Sequence, residues 1–147
     1  MAPLIALVAG TALARLAGLV GISVLDGWHP ALRVGLAVMF VLTGIAHFTG
    51  RRRDLIEMVP PRLPRPDLLV TVTGVLELVG AVGLLVPATA RWTAAGLAVL
   101  MLAMFPANVS AARRGLTLGG RPVTPLGVRT ALQVVFLAAA VAVAVGP

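Results

Sequence analysis

Apolar residues form five long runs along the chain, separated by short segments rich in glycine, proline and arginine. The runs cover residues 3–25, 31–49, 67–87, 92–112 and 125–146. Each run has close to the ~20 residues that an α-helix needs to cross the hydrocarbon core of a bilayer. The pattern therefore predicts an all-α, polytopic membrane helix bundle, with five transmembrane helices in a single integral membrane domain over residues 1–147.

The first run has the features of a retained helix and not those of a cleaved signal peptide. Signal peptides begin with a basic region and have a shorter apolar core. Residues 1–14 carry no basic side chain, and the apolar stretch continues past Arg15 to Leu25. We expect this helix to remain in the protein, and its removal would leave a four-helix bundle.

Composition and charge narrow the class of protein further. The chain is 59% hydrophobic and 12% charged, whereas a typical soluble domain is ~25% charged. The net charge of +7 does not indicate a nucleic acid partner, because the arginines lie mainly in the loops 50–66 and 113–124 between apolar runs. Loops of this kind are typical of the cytoplasmic side of membrane proteins. We therefore predict that the protein lies in a lipid bilayer with both Arg-rich loops, and its N-terminus, on the cytoplasmic side.

The chain contains no cysteine. This excludes disulfide bonds, thiol redox chemistry and cysteine-ligated iron–sulfur clusters within the chain.

Glu77 is the most informative residue of the sequence. It lies in the middle of the apolar run between Asp67 and Pro87, with no other charge between those two ends. Ionisable groups inside a membrane are rare, costly and commonly functional. Thr73, Glu77 and Gly80 follow helical spacing, which places the carboxyl on a face of small residues that packs against protein. Glu77 is the candidate proton donor or acceptor.

Five further polar residues are candidates for binding a ligand: His47, Asn108, Arg129, Gln133 and Arg15. At ~1.5 Å per residue, the first four fall in the cytoplasmic half of the bundle. Arg15 and Glu77 both fall near the middle, which predicts an Arg15–Glu77 pair at the narrow end of a polar cavity open to the cytoplasm. A purely structural role is the alternative for four of them: an ion pair for Arg15, an interfacial hydrogen bond for His47, and contacts between helices for Asn108 and Gln133.

The sequence does not favour a haem or a metal site. His29 and His47 are separated by the second run and lie ~27 Å apart along its axis, at opposite interfaces. One chain cannot ligate a haem with this pair. His47, Glu77 and Asn108 follow no recognised ligand spacing, and no metal is predicted.

Several motifs together resemble the DoxX family of small bacterial membrane proteins. They are GIAHF at 44–48, MVPPRLPRP at 58–66, TGVLEL at 73–78, FPAN at 105–108 and RTALQ at 129–133. The resemblance covers about residues 31–146 and implies a four-helix core in the inner (cytoplasmic) membrane of a bacterium. The run 3–25 would add an N-terminal helix, with Arg15, outside the family pattern.

Members of the DoxX family include subunits linked to thiosulfate:quinone oxidoreduction and proteins associated with oxidative-stress complexes. The resemblance therefore implies a quinone as candidate cofactor and, as one hypothesis, an accessory subunit of a quinone-linked oxidoreductase with a cytoplasmic or membrane redox partner. Glu77 would exchange the proton, and His47 and Asn108 would hydrogen-bond the quinone oxygens. Arg129 would stabilise developing negative charge.

Two other functions stay open on the sequence. In the first, the chain is a binding protein for a small hydrophobic or lipid-like molecule. In the second, it is a non-enzymatic scaffold. A scaffold would anchor a cytoplasmic enzyme through the Arg-rich loops, and Glu77 would then be purely structural.

Overall fold

The computed structural model describes residues 1–146. Its helices are α1 (Ala2–Leu19), α2 (Trp28–Ala46), α3 (Arg52–Met58), α4 (Pro66–Leu85), α5 (Pro87–Arg114) and α6 (Leu126–Val145). A 3₁₀ turn (Ser23–Leu25) precedes α2, and β1 (Thr117–Leu118) pairs with β2 (Arg121–Pro122) in a small antiparallel hairpin. Within residues 1–146, five helices, all but α3, are long and apolar enough to cross a membrane. The predicted class of helical, multi-pass membrane protein is confirmed.

The helix ends differ from the predicted boundaries where local backbone geometry intervenes. α1 stops at Leu19 and not at residue 25, because Gly21 adopts a φ of +117° and the 3₁₀ turn follows. α2 covers Trp28–Ala46 in place of the predicted 31–49. α4 and α5 each begin with a proline, whose fixed φ suits the first helical position.

Four helices pack in a ring, with α2 on α4, α4 on α5, α5 on α6 and α6 on α2. The buried side chains between them include Leu36, Phe40, Leu84, Leu97 and Val143. α1 packs mainly against α2. A Cβ at Gly35 would overlap Thr11 and the carbonyl of Leu7, so the glycine allows the backbones of α1 and α2 to approach closely.

Both Arg-rich loops lie at one end of the bundle, which we call the Arg-rich end. Arg114 donates a hydrogen bond to the carbonyl of Glu57, and the N–H of Gly119 donates to Oδ2 of Asp54 at 2.6 Å. At the opposite end, Nε2 of His29 donates to the carbonyl of Val143 at 3.2 Å. The antiparallel order of the helices thus places the two loops together, as predicted.

Candidate functional site

Glu77 lies in a cluster of three polar side chains between α2 and α4. Glu77 and His47 are each 4% exposed. The hydroxyl of Thr43 donates a hydrogen bond to Oε2 of Glu77, and Nδ1 of His47 donates to the carbonyl of Thr43 at 3.0 Å. We call Thr43, His47 and Glu77 the α2–α4 polar cluster. It brings together two residues that the sequence singled out, Glu77 and His47.

Glycines on both helices make this contact possible. Thr43 and His47 are four residues apart, so they lie on one face of α2. A Cβ at Gly74 would lie 2.5 Å from Cβ of His47, and a Cβ at Gly44 would lie 3.3 Å from Cβ of Glu77. Side chains at either position would separate the helices, so the small residues predicted around Glu77 bring it into contact with α2.

The hydrogen bonds of the cluster are compatible with both protonation states of the Glu77 carboxyl. The hydroxyl of Thr43 also lies 3.2 Å from the carbonyl of Met39. Because a hydroxyl has one hydrogen and two lone pairs, it either donates to a charged Glu77, or donates to Met39 and accepts from a protonated Glu77. Rotation of one hydroxyl therefore accommodates both charge states of the carboxyl.

His47 has one ring nitrogen that remains available. A carbonyl can only accept, so Nδ1 carries the hydrogen that binds Thr43, and in the neutral ring Nε2 keeps its lone pair. Within residues 1–146, no hydrogen bond reaches this Nε2. The cluster can thus offer a carboxyl and an imidazole nitrogen to a polar group.

Arg52 supports the cluster and was not singled out from the sequence. Its Nη1 donates to the carbonyl of His47 at 3.1 Å, and its Nη2 donates to Oγ1 of Thr71 at 2.9 Å and to the carbonyl of Asp67 at 3.2 Å. The last carbonyls of a helix lack donors within the helix. The position of Arg52 just after the end of α2 is the one signal that could have indicated this role.

The predicted Arg15–Glu77 pair is wrong. Nη1 of Arg15 binds Oδ1 of Asp26 at 3.0 Å, and the guanidinium lies 5.8 Å from the ring centre of Trp28. Because α1 ends at Leu19, Arg15 lies close to the opposite end of the bundle and not near its middle. The Arg15–Asp26 contact is the one salt bridge in the described part of the chain, so Glu77 has no cationic partner there.

The other three candidates form a second cluster, between α5 and α6. Nη1 of Arg129 donates to Oδ1 of Asn108, and Nε of Arg129 donates to the carbonyl of Thr124 at 3.1 Å. Nε2 of Gln133 donates to the carbonyl of Met101 at 2.9 Å. We call Asn108, Arg129 and Gln133 the α5–α6 polar cluster. Its contacts are interhelical hydrogen bonds, the structural alternative stated for Asn108 and Gln133.

The two clusters lie at a similar level along the bundle but share no hydrogen bond among the described residues. Leu97 of α5 packs against Gly80 of α4, and Met101 lies one turn further along α5. Gln133 therefore lies at about the level of Glu77. No hydrogen bond connects the two clusters among the residues that the structure describes. Two cavities of about 150 and 200 Å³ lie elsewhere, around Leu85, and the six candidate residues do not line them.

The described residues contain no group of three or more His, Asp or Glu side chains that could hold a metal ion. Every fully buried side-chain nitrogen and oxygen atom between residues 1 and 146 has a hydrogen-bond partner, so Nε2 of His47, which has none, keeps some exposed surface. Both clusters are thus packed and hydrogen-bonded in the absence of a ligand. A head group at the α2–α4 polar cluster would have to compete for the bond between Thr43 and Glu77.

The sequence matches a protein family described as a domain of unknown function (DUF8561) over residues 36–144. No curated protein and no solved structure matches the chain. The matched range begins within α2, so it contains both polar clusters and leaves out α1 with Arg15.

Proposed function

The chain belongs to the DUF8561 family, whose description assigns no activity, and from the geometry of its polar residues we propose that it is a DoxX-like membrane subunit that binds a quinone head group. The site would be the α2–α4 polar cluster. The four-helix core would be the ring of α2, α4, α5 and α6, with α1 added to it. The protein would act as an accessory subunit of a quinone-linked oxidoreductase.

The observation that carries this proposal is the environment of Glu77. Its carboxyl is buried against a hydroxyl and has no cation beside it within residues 1–146. The hydroxyl of Thr43 accommodates either charge state, and Nε2 of His47, whose Nδ1 binds the carbonyl of Thr43, has no hydrogen-bond partner within residues 1–146. A quinone takes up protons together with electrons, so a carboxyl that can change its protonation state suits the proton part of this reaction. The electrons would come from a partner subunit, because the chain has no cysteine.

Phe48 marks a route by which a quinone could reach the cluster from the bilayer. A Cβ at Gly74 would lie within 3 Å of both His47 and Phe48, so the two rings border the same point on α4. Phe48 is 45% exposed. An aromatic ring at the lipid-facing edge offers a surface on which a quinone ring can stack.

Asn108 and Arg129 are not part of the proposed head-group site. They are hydrogen-bonded to each other between α5 and α6, and Gln133 donates its hydrogen bond to the backbone carbonyl of Met101. Holding α5 against α6 is the role that their contacts support. The proposed site is therefore smaller than the sequence predicted.

We further propose that the Arg-rich end faces the cytoplasm of a bacterium, with the protein in the inner membrane. The support is that both Arg-rich loops meet at this end through Arg114 and Asp54. Arginine-rich loops are retained on the cytoplasmic side during insertion.

The proposal is tested by the quinone content of the purified protein. The protein, Glu77→Gln and Glu57→Gln are purified in mild detergent, and extracted lipids are analysed for quinone by mass spectrometry. Glu57 is an exposed carboxylate on α3, so its variant controls for the loss of charge alone. We expect near-stoichiometric quinone in the parent and in Glu57→Gln, and loss of quinone in Glu77→Gln with an unchanged helical circular dichroism spectrum. Absence of quinone from all three samples contradicts the proposal.

A second candidate function is a scaffold, and the surface of the Arg-rich end favours it. Six exposed arginines at this end make neither an ion pair nor a side-chain hydrogen bond in the described part of the chain: Arg51, Arg53, Arg62, Arg65, Arg113 and Arg121. Such a surface is complementary to an acidic partner. A scaffold would lose its partner in a pull-down with Arg51→Gln/Arg53→Gln and keep it with Glu77→Gln. Arg52 is left unchanged in this test because it holds α2 to α4.

A further inference from the structure

Two adjacent cavities lie along α2, next to the end of α4. The first, of about 150 Å³, is lined by Arg33 and by the apolar residues Val24, Leu25, Pro30, Val34, Leu85 and Pro87. The second, of about 200 Å³, is lined by Val34, Ala37, Val38, Val41 and Leu85. Because Val34 and Leu85 line both cavities, the two are adjacent. We call them together the α2 groove; it extends ~10 Å along α2 from Val34 to Val41.

Arg33 is a fixed cation at the mouth of this groove. Its Nε donates to the carbonyl of Leu84 at 2.8 Å. Leu84 lies in the last turn of α4, where carbonyls have no donor within the helix. The bond holds the guanidinium in place, and the two terminal nitrogens of Arg33 donate to no residue among 1–146.

The groove therefore has a positive charge at one end and aliphatic side chains along the rest of its length. No carboxylate lines either cavity within the described residues, and Asp26, the nearest acid in sequence, is bound to Arg15. Arg33 lies five residues after the start of α2, ~7.5 Å along the helix axis. From this position a long arginine side chain can extend its guanidinium to the head-group region while its methylenes stay in the apolar layer. An anion with an attached hydrocarbon chain is complementary to both parts.

We infer that the α2 groove binds one phospholipid of the surrounding bilayer. Its phosphate would accept hydrogen bonds from the terminal nitrogens of Arg33, and one acyl chain would lie along Val34, Val38 and Val41. A planar guanidinium is well suited to phosphate. None of the groove residues belongs to the α2–α4 polar cluster, so this site is independent of quinone binding.

The test uses delipidated protein in mild detergent and a single synthetic phosphatidylglycerol as probe, with bound lipid counted by native mass spectrometry. Arg33→Gln removes the charge and keeps an amide that can donate to the carbonyl of Leu84. Val34→Phe fills the groove and keeps Arg33. The control is Arg91→Gln, which removes an exposed arginine near the start of α5, at the same end of the bundle.

We expect one bound phospholipid in the parent and in Arg91→Gln. Arg33→Gln should bind it about ten-fold more weakly, as for loss of one charge-assisted hydrogen bond, and Val34→Phe should lose it. Equal binding by all four proteins would overturn the inference, and so would a free fatty acid in place of phospholipid in the protein before delipidation. If Val34→Phe fails to fold, Val41→Phe fills the far end of the same groove. Quinone content, measured on the same variants before delipidation, separates this result from that of the proposed function.

Discussion

The hydroxyl of Thr43 on α2 donates a hydrogen bond to Oε2 of Glu77 on α4. This contact takes the place of the ion pair with Arg15 that the sequence predicted, because Arg15 is bound to Asp26. A permanent cation would hold the carboxyl in its charged form. A hydroxyl can either donate or accept, so it leaves Glu77 free to exchange a proton.

Removing the hydroxyl should therefore destabilise the bundle. Thr43→Val keeps the shape of the side chain and leaves the carboxyl of Glu77 without its partner, at an expected cost of ~1–3 kcal/mol in the free energy of unfolding. The measurement is a denaturant titration in detergent micelles followed by circular dichroism. Thr73→Val is the matched control, because the Thr73 hydroxyl binds only carbonyls of its own helix. Equal losses in both variants would argue against a specific role for the Thr43–Glu77 bond.

Close approach of α2 and α4 should depend on Gly74. The methyl group of Gly74→Ala would lie 2.5 Å from Cβ of His47, so the helices must separate, at a cost of ~1–3 kcal/mol. Gly96→Ala on α5 has no neighbour within 4 Å and should be neutral or gain up to ~1 kcal/mol from helix propensity. Thermal unfolding of both variants measures the difference. A stable Gly74→Ala with full quinone content would place the head group somewhere other than the α2–α4 polar cluster.

The energetic partner of Arg15 can be identified with double-mutant cycles. Arg15→Leu and Glu77→Gln should be additive within ~0.5 kcal/mol, because their side chains do not meet. Arg15→Leu and Asp26→Asn should be non-additive, with a coupling below ~1 kcal/mol because the Asp26 side chain is 66% exposed. The free energies come from the same denaturant titrations. Strong coupling between Arg15 and Glu77 would instead indicate that these two side chains interact, as the sequence predicted.

The proposed orientation can be measured by labelling, because the chain has no native cysteine. Thr117→Cys lies in β1 at the Arg-rich end, and Ala88→Cys lies in the first turn of α5 at the opposite end. Both positions are exposed. In intact bacterial cells, a membrane-impermeant maleimide should label Ala88→Cys and reach Thr117→Cys only after the cells are broken. The reverse pattern would place the Arg-rich end outside.

The sequence by itself determined the class of protein and its spanning helices. Peptide groups in hydrocarbon must be hydrogen-bonded within their own segment, so an apolar run of this length can only be a helix there. Helical spacing also determined that Thr43 and His47 share a face of α2, and the alternation of spans placed the two Arg-rich loops at one end. These features depend on neighbours in sequence.

The tertiary structure decided which polar residues meet. Hydropathy does not encode which helices pack together, because lipid and apolar side chains are equally good surroundings for an apolar helix face. The pairing of helices depends instead on small residues and a few hydrogen bonds. The packing of α2 on α4 brings Glu77 into contact with Thr43. The turn after Leu19 brings Asp26 back to Arg15, so these two residues form the ion pair. The roles of Arg52 and Arg33 depend on carbonyls distant in sequence, at positions that only the folded chain brings within reach of a guanidinium.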